Sequence, residues 1–308
     1  MARRALAYAT VDVFTNEKFA GNQLAIVEIP KNGTPLTQEQ RQDIAKEFCY
    51  SETVFVYAQN ENEKASNEWT INIFTTEEEL PFAGHPMIGT ACFLLGRIET
   101  SEHVIRGAFQ AKAGRIDLLY DVVKRTAKAG IPHNVRVHQN SLQSTQLQML
   151  QPNIGRFPAE SPIVSIVKGM TFALVELDSL DTLTFVNTTP FPVEAKLDSG
   201  WDASFIACYF YVKLGYSEKG TVRLRTRMIE CGVGEDAATG SAACTLASFL
   251  TITEGGDESS TAYDIVQGVE MGRRSEIGVV VKLGSGRAVE SVHLSGSSVQ
   301  MMEGKFLL

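Results

Sequence analysis

Three short clusters carry the residue types that acid–base or anion-binding chemistry needs. They are Ser51-Glu52-Thr53-Val54-Phe55, Ala83-Gly84-His85-Pro86, and Glu235-Asp236-Ala237-Ala238-Thr239-Gly240-Ser241. Glu52 opens an apolar strand, Glu52 to Tyr57, in which alternation puts it on one face with Val54 and Val56. Such a carboxylate can act as a general acid or base, its pKa tuned by apolar neighbours and dipoles. It can equally cap the strand or pair with a lysine in solvent. His85, in a Gly-His-Pro turn, can donate a hydrogen bond to a ligand, shuttle a proton or only hold the turn. Asp236 can bind an amine or hydroxyl, hold His85, or cap the helix that follows. Ser241 has no histidine at motif distance and reads as a hydrogen-bond donor, not an activated nucleophile.

Both glycine turns lead into small, apolar helices. The first, Pro86 to Leu95, is apolar on almost every side and should be buried all round. The second starts near Thr239 and stops before Gly255. At an offset of 156 residues Gly84 falls on Gly240, Ala91 on Ala247, Phe93 on Phe249 and Leu94 on Leu250. An offset near half the chain reads as two similar halves. A helix start offers unpaired N–H groups and the positive end of its dipole, so Gly84 and Gly240 are candidate backbone sites for a carboxylate.

The elements that must position these groups are mostly strands. Ala5 to Phe14 and Asn22 to Ile29 read as strands, and Thr37 with Gln40 forms a capping box for a helix whose apolar face is Ile44, Ala45 and Phe48. Trp69 to Phe74 is a further strand, and Val104 to Val123 makes two that turn at Ala113-Gly114. Lys124 to Gln139 gives no clear pattern, and Leu142 to Leu150 reads as a helix. The second half has strands at Ile163 to Val167, Thr171 to Leu177, Phe205 to Leu214 and Thr221 to Met228. The tail reads as separate strands at Gly278 to Leu283, Glu290 to Leu294, Ser298 to Met302 and Gly304 to Leu308. The pattern predicts an α+β fold of two similar halves, each a curved, antiparallel-rich, barrel-like sheet wrapped around a central apolar helix.

The chain has 308 residues, 44% hydrophobic and 21% charged, enough for two cores. A net charge of −8 argues against nucleic acid as a partner. No apolar run approaches membrane-spanning length, and the start shows no secretion signal. Five cysteines without a C-x-x-C pair fit free thiols in a cytoplasmic protein. The histidines lack metal-ligand spacing and no Gly-x-Gly-x-x-Gly follows a strand, so neither a metal nor a nucleotide cofactor is expected.

Taken together, the motifs resemble the PhzF-like, phenazine-biosynthesis-like family of the diaminopimelate epimerase-like fold. The matching pieces are Val11-Asp12-Val13-Phe14 with Phe19-Ala20-Gly21-Asn22, Ser51 to Phe55, Phe74-Thr75 with Glu79 to Pro86, and Gly234 to Ala242. The resemblance implies halves of residues 1–127 and 128–292, with the last strand, 293–308, returning to the first half. It implies a cofactor-independent isomerase, often a homodimer, with its site in a cleft between the halves. There Glu52 moves a proton on a small carboxylate-bearing substrate, His85, Asp236 and Ser241 line the pocket, and backbone near Gly84 and Gly240 holds the carboxylate. Related epimerases and racemases carry cysteines where this chain has Ala83 and Thr239, so two-thiol racemisation is disfavoured. Gln23 and Ala237 stand where the family tends to have proline, which bears on loop shape. A lyase or hydrolase using the same carboxylate, and a catalytically silent carboxylate-binding protein, remain as alternatives.

Overall fold

The computed structural model describes residues 5–32, 35–201, 204–256 and 260–308. The first four residues, on which the reading of the start rests, lie outside them. In chain order the elements are β1 (Ala5–Val13), β2 (Asn22–Ile29), α1 (Gln38–Phe48), β3 (Thr53–Tyr57), α2 (Glu61–Ser66), β4 (Glu68–Phe74), β5 (Glu79–Leu80), α3 (Gly84–Leu95), β6 (Val104–Ala111), β7 (Gly114–Asp121) and β8 (Thr126–Gly130). There follow β9 (Arg136–Gln143), α4 (Ser144–Leu150), β10 (Glu160–Val167), β11 (Met170–Glu176), α5 (Leu180–Thr184), β12 (Phe205–Tyr216), β13 (Val222–Glu230), β14 (Gly234–Asp236), α6 (Gly240–Glu254), β15 (Ser260–Gln267), β16 (Ser275–Leu283) and β17 (Val289–Leu307). The chain divides into two compact units, Met1–Gly130 with Ser295–Leu308, and Ile131–Leu294.

In the first unit the ladders close on themselves. β1 pairs antiparallel with β2 and β17, β2 parallel with β3, β3 antiparallel with β4, and β4 parallel with β6. β6, β7 and β8 continue antiparallel, and β8 returns to β17, which makes an eight-stranded closed barrel. A closed barrel leaves no edge strand among these eight. Helix α3 packs on β1, β2, β3, β7 and β8, and all twelve of its residues are buried. Its contact with β1 and β2 is close because residue 89 is glycine: a Cβ there would lie 2.6 Å from Val13 Cγ2 and 2.8 Å from Leu24 Cδ2.

The second unit runs β9–β10–β11–β12–β13–β15–β16, with β14 folded back on β13. Its parallel pairs, β11 with β12 and β13 with β15, fall in the same chain order as β2 with β3 and β4 with β6. Helix α6 follows the β13–β14 hairpin as α3 follows β4–β5, and packs on β10, β11, β15 and β16. Both long helices are rich in small apolar residues, so they owe their stability to burial.

The sequence reading has no counterpart for α2, α5 and β15, and three of its other assignments are corrected. Glu52 is not in a strand, because the first ladder pairs of β3 fall on Thr53, with Ala25 and Phe74. Leu142 belongs to β9 and the helix begins at Ser144. The last three tail strands are the single β17. Its glycines are sites of close approach, not breaks: a Cβ at Gly296 would meet the Phe14 ring at 2.3 Å, and one at Gly304 the Tyr8 ring at 2.9 Å. Among the described residues no helix is long and apolar enough to cross a membrane.

Candidate active site

In the first unit the chain leaves α1 through Cys49 in the left-handed conformation (φ 55°), its N–H returned to the Ala45 carbonyl. Tyr50, Ser51 and Glu52 then carry it to β3. Helix α3 starts after the extended Ala83, and its third residue, Pro86, lies where a missing N–H leaves no intrahelical bond unmade. His85, in the same turn, is thereby directed at Glu52. His85 Nε2 lies 3.5 Å from Glu52 Oε2, with the two side chains 6% and 15% exposed. That distance is a contact rather than a hydrogen bond.

Glu52 Oε2 is buried and accepts no hydrogen bond among the described residues. Burial penalises its charged form and pushes the carboxyl pKa up to about 7, against the opposing pull of a hydrogen bond from Ser51. Near neutral pH the group is divided between acid and base, which suits a residue that must both take and return a proton.

In the second unit Asp236 closes β14, opposite Met228 of β13. Its hairpin is anchored by Arg227, which makes two bonds to Glu235 of 2.8 and 2.7 Å and a third to the Leu183 carbonyl at 3.1 Å. Asp236 Oδ2 accepts the Thr239 hydroxyl at 2.5 Å. Asp236 is therefore not the cap of α6; Thr239 holds that position. Gly240 and Ser241 are the first two residues of the helix, and the Ser241 carbonyl accepts from Thr245 Oγ1 at 2.7 Å.

Among the helix starts two kinds stand out, apart from the exposed start of α4, where Gln146 Oε1 accepts the Gln143 N–H. Those of α1, α2 and α5 are capped by Thr37, Asn60 and Ser179, each accepting from a backbone N–H. Those of α3 and α6, at Ala83 and Thr239, have no side-chain cap although they are buried. Uncapped, buried first turns keep N–H groups and dipole available to an anion. Neither Ala83 nor Thr239 offers a thiol.

A serine, a histidine and an aspartate meet elsewhere in the second unit, but with the wrong proton order for nucleophilic catalysis. His138 Nε2 lies 2.8 Å from Ser165 Oγ, and the backbone N–H of Asp198 donates to Nδ1 at 3.2 Å. Nδ1 is thus an acceptor, so the neutral ring carries its proton on Nε2 and donates to Ser165. Burial holds the His138 pKa below its usual value, which keeps the ring neutral. The hydroxyl chain runs on through Thr171 and Ser204 to the Phe205 carbonyl, a structural network.

The structure thus brings Glu52 beside His85 at the start of α3, and gathers Asp236, Gly240 and Ser241 at the start of α6. Sequence reasoning missed Thr239 and Gln267, which hold the Asp236 turn. The signal for Gln267 was its place two and four residues after the buried Ile265 and Tyr263, a polar residue on the inward face of a strand. Among the described residues no group of three His, Cys, Asp or Glu side chains is arranged to hold a metal ion.

The sequence pattern of the phenazine biosynthesis-like protein family, PhzC-PhzF, matches residues 11–304. The trans-2,3-dihydro-3-hydroxyanthranilate isomerase of Pseudomonas aeruginosa is 30% identical over 310 residues, covering 98% of this chain and 99% of that one. An uncharacterized isomerase of Mesorhizobium japonicum is 29% identical, with 98% of each chain covered. Among solved structures, a PhzF-family phenazine biosynthesis protein of Bacillus anthracis superposes with a TM-score of 0.77 at 20% identity, covering 99% of this chain and 100% of that one. A hydroxyproline epimerase of Agrobacterium vitis gives a TM-score of 0.61 at 12% identity, with 99% and 93% covered.

Proposed function

The chain belongs to the phenazine biosynthesis-like family, and from that premise we propose that it is a cofactor-independent isomerase that moves a proton on a small carboxylate, with Glu52 as both base and acid. The observation that carries this reading is the buried Glu52 carboxyl, its pKa near 7, in contact with His85. As a carboxylate Glu52 removes a proton from an activated carbon; as the acid so formed it delivers a proton elsewhere on the same face. His85 orients the substrate and steadies the charge that develops. The substrate carboxylate is held by the N–H groups at the start of a buried helix, for which Gly84 in the first unit and Gly240 in the second are the candidates. Asp236 and Ser241 bind its remaining polar groups.

The relative from Pseudomonas aeruginosa is named for a substrate bearing a carboxylate, an amine and a hydroxyl, and a site with these groups suits that class. On the same family expectation the enzyme is a homodimer, and its free cysteines suit the reducing cytoplasm. The test is solvent deuterium incorporation, read by NMR and mass spectrometry, across amino, hydroxy and unsaturated carboxylates that include trans-2,3-dihydro-3-hydroxyanthranilate. The expected result is deuterium gained, or a double bond moved with no other change in mass, and a rate slowed by roughly 10²-fold or more in Glu52→Gln. Undiminished turnover in Glu52→Gln would remove Glu52 from the chemistry.

A further inference from the structure

The turn that carries Asp236 rests on a buried amide which the proton transfer itself does not use. Gln267, the last residue of β15, is fully buried. Its Oε1 accepts the Thr239 N–H at 3.3 Å and the Tyr209 hydroxyl at 3.0 Å. Its Nε2 donates to the Asp236 carbonyl at 2.9 Å and to Thr239 Oγ1 at 3.0 Å. Two backbone groups decide which end of the amide is which. The Thr239 N–H can only donate and the Asp236 carbonyl can only accept, so a flipped amide would set donor on donor and acceptor on acceptor.

That orientation has a consequence for the hydroxyl between them. With an N–H of Gln267 on Thr239 Oγ1, the single proton of the Thr239 hydroxyl goes to Asp236 Oδ2, 2.5 Å away. The chain of donors therefore runs one way, from Gln267 through Thr239 to Asp236.

We propose that Gln267 is a positioning residue, which by donating to Thr239 commits the Thr239 hydroxyl as a donor to Asp236 and keeps Asp236 a hydrogen-bond acceptor for a substrate amine or hydroxyl. The functional half of this rests on the reading of Asp236 as a substrate-binding residue. The polarity itself is a property of the free protein and is testable without substrate. Gln267 also claims the Thr239 N–H, so the amides that serve an anion at this helix begin at Gly240.

The deciding experiment is a cycle of urea unfolding midpoints at pH 8 for the full-length wild type, Gln267→Glu, Asp236→Asn and the double variant. Gln267→Glu sets two carboxylates on one hydroxyl proton, sets a carboxylate oxygen against the Asp236 carbonyl, and lowers the midpoint. In the double variant the side-chain amide introduced at position 236 donates to Thr239 Oγ1, whose proton passes to the carboxylate introduced at position 267. The chain then runs in reverse, with the hydroxyl satisfied on both sides. The expected result is that Asp236→Asn raises the midpoint in the Gln267→Glu background and not in the wild type; the carboxylate set against the Asp236 carbonyl is common to both Gln267→Glu proteins and cancels from the cycle. Additive losses would overturn the proposal, because a Gln267 that only filled space gains nothing from an isosteric change at position 236. Failure of the proton-transfer reading, seen as intact turnover in Glu52→Gln, leaves this cycle unaffected.

Discussion

Glu52 and His85 touch at 3.5 Å although 32 residues lie between them, and neither is reached from its own element by chance. Glu52 stands one residue ahead of the β3 ladder, and His85 lies in the first turn of a helix buried along its whole length. The pairing places a carboxyl with no hydrogen bond to its inner oxygen against an imidazole at the positive end of a helix. An unmade bond of this kind costs stability, and it persists where chemistry needs the group unsatisfied.

The cost is readable as a dependence of stability on pH. The folded-state pKa of Glu52, about 7, lies above its ordinary 4.5, so the folded protein holds the proton more tightly than the unfolded chain. Stability from this group is complete below about 4.5 and is lost as pH rises through about 7. The difference corresponds to roughly 3 kcal/mol. Glu52→Gln should therefore be more stable than wild type by up to that amount at pH 8, with the gap closing near pH 4. Urea unfolding of both proteins across this range checks it; a gap independent of pH would mean that Glu52 is not the group that titrates.

Ser51 tunes the same carboxyl. The Ser51 side chain lowers the Glu52 pKa against the larger effect of burial. Ser51→Ala removes that hydroxyl and should raise the midpoint of the Glu52 titration from about 7. In the rate profile of the exchange reaction, the limb set by the base form should shift to higher pH by the same amount. An unmoved limb would assign it to another group.

How much of this was legible in the sequence depended on range. The run from Met87 to Leu95 has no charged residue, so its burial could be read directly, and the Gly84 to Gly240 offset pointed to the two helix starts that have no side-chain cap although they are buried. The Thr37–Gln40 capping box, a local device, was also readable and is present. The contact of Glu52 with His85 was not readable, because it depends on barrel closure bringing the mouth of β3 to the start of α3. The inward place of Gln267 left a signal, but its partners were unreadable for the same reason: they lie 28 and more residues away, and the β13–β15 pairing delivers it to them. The glycines of β17 misled because their purpose, making room for Phe14 and Tyr8, belongs to the neighbouring strand.

Gly89 tests the close seating of α3. Alanine there would gain up to about 1 kcal/mol in helix propensity, but its Cβ would press on Val13 and Leu24 at 2.6 and 2.8 Å. Overpacking of a filled core costs about 1–3 kcal/mol, so Gly89→Ala should lower the thermal midpoint. Gly155→Ala, where nothing lies within 4 Å, serves as the control and should leave it nearly unchanged. Equal midpoints for the two variants would show that β1 and β2 yield to the helix.

The last prediction concerns the ion pair beneath Asp236. Arg227 and Glu235 are joined by two short bonds, with side chains only 7% and 9% exposed. Two buried charges contribute little net stability as a pair, but removing one partner leaves the other desolvated without compensation, at about 3–5 kcal/mol. Arg227→Met should therefore destabilise strongly and loosen the hairpin that ends in Asp236. Arg227→Met with Glu235→Gln removes the stranded charge and should recover a large part of the loss, though not the bond to the Leu183 carbonyl. Hydrogen exchange of the Gly234–Asp236 amides separates the two effects. Fast exchange in the single variant and restored protection in the double would tie the rigidity of the Asp236 hairpin to charge compensation; fast exchange in both would tie it to the guanidinium's bridge from β13 to the end of α5.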